Sequence, residues 1–151
     1  MLQILMVALS LSMGLGCLTA VAAGPRALRQ VAKGAVSGIR EARQETIKDQ
    51  AAWEKLWSQH CGRTRPAAKL PEIDFTGEMV IVVTMGTKRT GGYAIEVVSV
   101  EETGQGLRIS VKRTRPPKGA MTIQVITAPF DMVAVPRSDR KAEFVEVDSS
   151  G

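Results

Sequence analysis

At 151 residues with 44% hydrophobic content, the chain amounts to one domain, large enough to bury a core without metals or disulfides. The formal net charge of +5 is spread among acids, as in Arg40-Glu41-Ala42-Arg43, and aromatics make up only 4%. The one dense basic stretch, Lys112-Arg113-Thr114-Arg115 with Lys118, has no stacking aromatic beside it, so a solvated basic face is expected there and not a nucleic-acid site.

Residues 1–22 carry no charged side chain, and an apolar run up to Cys17 is followed by Ala20-Val21-Ala22. That run is short for a membrane span and suits a signal peptide cleaved after Ala22, although its start lacks Lys or Arg. Leu15-Gly16-Cys17 is similar to the end of a bacterial lipobox, with Gly14 where that motif has Leu. Lipidation at Cys17 and an uncleaved anchor are the alternatives, and membrane contact is expected only through such a segment. Cleavage after Ala22 leaves Cys61 as the sole cysteine and excludes an intrachain disulfide. An exported protein follows: periplasmic, envelope-bound or secreted.

Residues 23–35, with Gly24-Pro25 and few large apolar groups, read as a tether, and 36–151 as the domain. The mostly polar stretch Val36–Ile47 suits an edge strand. Asp49 is placed as an N-cap ahead of Ala51-Ala52-Trp53-Glu54-Lys55-Leu56-Trp57, and Gly62 as the helix stop. Trp53, Leu56 and Trp57 fall at i, i+3 and i+4, a stripe expected to dock the helix on a sheet rather than to stack a ligand. Arg63–Pro71 is a loop.

From there the pattern is β. Met79–Thr84 is a near-continuous apolar run, the mark of a strand covered on both faces. Tyr93–Val100 follows, then a turn at Thr103–Gly106, and Leu107–Lys112 alternates apolar and polar residues with one wet face. Further strands are expected at Met121–Thr127, Met132–Val135 and Phe144–Val147, punctuated by Pro116-Pro117-Lys118-Gly119 and Ala128-Pro129-Phe130. The fold class is mainly β, a sandwich or half-barrel, with one short α-helix inserted early; no helix lies between residues 79 and 135 to build parallel βαβ units.

Catalytic patterns are weak. The lone histidine, His60, adjoins Cys61, but neighbouring helical positions point about 100° apart, so a dyad is not expected. No second ligand cluster joins them for a metal, and no base is placed for serine chemistry. Glu101-Glu102 looks like a solvated pair at a turn. Gly86-Thr-Lys-Arg-Thr-Gly-Gly92 lacks the Gly-Lys-Ser/Thr ending of a phosphate loop. Its glycines Gly91 and Gly92 instead allow a sharp hairpin turn with Lys88 and Arg89 at the tip and Tyr93 opening the next strand. A non-enzyme without cofactors is expected.

Gly86 through Glu96, read as G-T-K-R-T-G-G-Y-A-I-E, resembles the signature of the PrcB C-terminal domain family. Ser37-Gly38-Ile39, Trp53 with Leu56-Trp57, Ile73-Asp74-Phe75, Pro116, Gly119, Thr127–Phe130 and Val133–Pro136 extend the likeness over residues 36–147. The family takes its name from a lipoprotein subunit of a surface protease complex, and no catalytic residues are attributed to the domain. The resemblance implies a non-catalytic protein-binding module that assembles or stabilises such a complex. Its contacts are expected on Lys88, Arg89, Thr90, Gly91, Gly92 and Tyr93, on Pro116, Pro117 and Gly119, and on Pro129 and Phe130. Thr90–Tyr93 is also loosely similar to the Thr-Gly-Tyr loop of chagasin-type protease inhibitors, which makes inhibition the alternative.

Overall fold

The computed structural model describes residues 24–62 and 66–147. Its organising element is the strand Glu78–Met85 (β3), in which every residue after Glu78 is buried. Such a run has no wet face, so both faces must be covered. Met79, Ile81, Val83 and Met85 point into one apolar cluster, and Val80 and Val82 into another on the opposite side.

Around it the order is β1 (Arg29–Gly34), β2 (Ala42–Ile47), α1 (Gln50–Cys61), β3, β4 (Ala94–Thr103), β5 (Gly106–Thr114), β6 (Phe130–Pro136) and β7 (Ala142–Val147). Strands β1-β6-β3-β2 form a four-stranded antiparallel sheet. Strands β4-β5-β7 form a second sheet of three, with β5 and β7 parallel. The described residues are mainly β, with two sheets and a single short helix. The layers run helix, four-stranded sheet, three-stranded sheet.

Asp49 caps α1 as its sequence position predicts, its carboxylate accepting from the Ala52 N–H at 2.8 Å. Trp53, Leu56 and Trp57 are the buried helix residues and lie against Val80, Val82, Phe130 and Met132 of the first sheet. The indole N–H groups of Trp53 and Trp57 donate to the Pro71 and Ala68 carbonyls, which fastens the 66–71 loop over the helix. The inter-sheet core joins β3 and β6 to Ile95, Val97, Val100, Leu107, Ile109 and Val111. Strand β5 alternates as read, its odd positions inward and Arg108 exposed.

Four expectations are corrected. Residues 29–34 of the supposed tether are strand β1, paired with β6, and Pro25 bridges Glu101 at the rim of β4. Backbone pairing with buried β6 holds this mostly polar segment, and Val31 and Ala32 pack against the helix-side core. The 86–93 segment is not a hairpin, because β3 and β4 belong to different sheets and the segment crosses between them. Glu102 is not solvated: it is 8% exposed and receives the guanidinium groups of Arg26 and Arg140. Met121–Thr127 forms no strand, with consequences described below.

Asp131 joins the layers. It has no exposed surface, and its carboxylate accepts from the Val97 N–H of β4 at 2.8 Å and from Gln30 Nε2 of β1 at 2.5 Å. Both partners sit where register shifts interrupt the ladders, at Gln30/Ala32 and Val97/Ser99. The side chain thus satisfies an N–H at an interrupted ladder position.

Candidate functional site

Two regions gather polar or exposed groups: a pair of loops at one end of the sheets and a cleft at the C-terminal end of α1.

In the loop pair, the 86–93 crossover and the 115–129 connection hold each other through their backbones. Lys88 and Thr127 exchange N–H···O bonds of 2.7 and 2.9 Å, and the Gly91 N–H donates to the Ile123 carbonyl at 2.9 Å. The Thr127 hydroxyl donates to the Thr90 carbonyl at 3.0 Å. Gly92 has φ 87°, a conformation that favours glycine. A Cβ there would lie 3.1 Å from Pro116 Cβ. The structure thus brings Lys88, Arg89, Thr90, Gly91, Gly92 and Pro116 together, with Pro117 and Gly119 at the exposed turn beyond.

Three predicted residues lie elsewhere. Pro129 and Phe130 are buried; the Phe130 ring packs 4.4 Å from that of His60, centroid to centroid. An aromatic beginning a central strand is drawn into the helix-side core, which overrides the turn signal of Pro129. Tyr93 is half-buried against the inter-sheet core, with the Lys88 ammonium 5.5 Å from its ring centroid. Cys17 lies outside the described residues.

The strand expected at Met121–Thr127 falls where the loop pair has its large exposed apolar side chains. Met121, Ile123, Val125 and Ile126 are 102%, 76%, 48% and 64% exposed. Their alternation with Thr122 and Gln124 is the signal read as a strand, but no neighbouring strand receives them. Such a contiguous apolar exposure is uncommon on a free protein surface and marks contact sites. Around it stand Lys88, Arg89, Arg115 and Lys118. Arg115 reaches Glu146 only at 4.0 Å and is 66% exposed.

The cleft, of about 750 Å³, is lined by Ser37, Arg40, His60, Cys61 and Gly62 among others. The His60 ring is wedged between Trp57 and Phe130 at centroid distances of 4.9 and 4.4 Å. Its Nδ1 lies 3.0 Å from the Ser37 hydroxyl, which already accepts from the Ile39 N–H at 3.1 Å. The hydroxyl keeps both its hydrogen and a second lone pair, so it pairs with Nδ1 in either neutral tautomer of the ring. Burial lowers the His60 pKa, which favours the neutral ring. The histidine's polar partner is a serine, and its ring faces are covered by aromatics, an arrangement of packing. Cys61 is free and half-buried. Among the described residues no group of three or more His, Cys, Asp or Glu is placed to hold a metal ion, and no helix is long and apolar enough to cross a membrane.

Residues 79–136 match the family model described as PrcB C-terminal. This supports the resemblance over a narrower span than the sequence landmarks suggested: β3 through β6 together with both loops of the pair. No curated protein and no solved structure matches the chain.

Proposed function

We propose, from a chain whose residues 79–136 match the PrcB C-terminal family, that it is a non-catalytic module binding another exported protein. Its role is then that of a subunit that assembles or stabilises a protease complex in the envelope or outside the cell. The carrying observation is the exposed apolar segment Met121–Ile126 on the loop pair, set among basic side chains. An apolar centre with a polar, charged rim is the anatomy of a protein interface. Export rests on residues 1–22 and their Ala20-Val21-Ala22 site.

An inhibitor of the chagasin type would present Thr90–Tyr93 as a loop to a protease; the partial packing of Tyr93 on the inter-sheet core favours the assembly reading over it. Lysine-reactive cross-linking in the native cell, read by mass spectrometry, is expected to join Lys88 or Lys118 to another exported protein. Links confined to this chain would overturn the proposal.

A further inference from the structure

We infer that Met121–Ile126 docks as an added strand on a free sheet edge of its partner, and that the residues flanking that edge are acidic. The inference rests on the protein-binding reading above and specifies its geometry.

The segment has the composition and period of a strand, but its one backbone partner among the described residues is the 86–93 crossover, whose Gly91 N–H donates to the Ile123 carbonyl at 2.9 Å. Apolar residues at 121, 123 and 125 alternate with Thr122 and Gln124. The Val125 N–H turns back to the Ile123 carbonyl at 3.0 Å. The N–H groups of Met121, Thr122, Ile123, Gln124 and Ile126 donate no hydrogen bond among the described residues. The ends of the segment are fixed, by the Pro116-Pro117 turn and Ala120 N–H···O=C Pro117 bond on one side and the Lys88–Thr127 bridge on the other. A run of unpaired donors with strand periodicity, held at both ends, is what strand addition uses: backbone bonds supply affinity and alternate side chains supply selectivity.

Charge selects the occupant. Arg89, Arg115 and Lys118 are exposed and Lys88 is half-exposed beside the segment. Two copies of this chain pairing through 121–126 would bring these like charges together, whereas an acidic edge is attracted to them. A partner strand flanked by Asp or Glu therefore fits better than a second copy.

The test uses a short labelled peptide alternating valine and threonine with glutamates at both ends, and a counterpart ending in lysines. Fluorescence anisotropy should show the glutamate-flanked peptide binding roughly tenfold or more tightly than its counterpart. Hydrogen exchange should then slow at the amides of residues 121–126, and the doubly substituted Arg115→Glu/Lys118→Glu protein should lose the preference while its circular dichroism is unchanged. Equal binding of both peptides, binding of neither, or binding without amide protection would overturn strand addition. Native-cell cross-links from Lys88 or Lys118 persisting alongside such a result would leave the module reading standing and remove only its strand geometry.

Discussion

Asp131 is a fully buried carboxylate that ties β6 to β1 and to β4. Burial raises its pKa, and the bonds from Val97 and Gln30 oppose that shift without cancelling it. Asp131→Ala leaves the Val97 N–H unpaired in the core and should cost about 1–3 kcal/mol in urea unfolding. Asp131→Asn should cost less, because its oxygen can accept from Val97 while its amide pairs with a rotated Gln30. The pH dependence has a definite sign. With the folded pKa above the unfolded one, the native state holds the proton longer, and stability from this group is lost as pH rises through the folded value. The Asn variant should therefore gain on the wild type as pH climbs through and above the carboxylate range; a gap that narrows instead would contradict the assignment. His60 works the opposite way: burial lowers its folded pKa, so native stability falls as pH drops below about 6.5. His60→Phe, which keeps an aromatic between Trp57 and Phe130, should flatten that fall in unfolding measurements between neutral and mildly acidic pH.

At the scale of elements, α1 and β3 were the most readable parts of the sequence. Asp49, the Trp53-Leu56-Trp57 stripe and the apolar run from Met79 each report a local rule that tertiary packing then obeys. Trp57→Ala should cost about 3–5 kcal/mol, by cavity formation and loss of the bond to Ala68. Gly38 shows a constraint that periodicity does not reveal. Its N–H donates to the His60 carbonyl at 2.7 Å, and a Cβ there would sit 2.2 Å from the Gln59 carbonyl oxygen. Gly38→Ala should therefore push the end of α1 outward and lower stability by about 1–3 kcal/mol. The elements that sequence reasoning misplaced share one cause. Whether β1 pairs, whether Met121–Thr127 pairs and which way Phe130 turns depend on neighbours distant in the chain. Alternation at 121–126 gives the same pattern for a half-buried strand and for an unpartnered one.

The described residues form a sheet pair with a helix on its outer face, and the two central strands, β3 and β6, serve both apolar clusters. The exposed loop pair hangs from the ends of those strands, so a rigid double-sided core positions a surface that does not contribute to it. This predicts a separation of effects. Met121→Asp/Ile123→Asp should leave the melting temperature close to that of the wild type, since both side chains are already in water. A core change such as Ile81→Ala, at a residue without exposed surface, should cost about 2–5 kcal/mol. The decisive measurement pairs melting of the Met121→Asp/Ile123→Asp protein with native-cell cross-linking from Lys88 and Lys118. Unchanged melting with loss of links to any other protein is the predicted result; links that persist, or a melting temperature that falls as it does for Ile81→Ala, would contradict it.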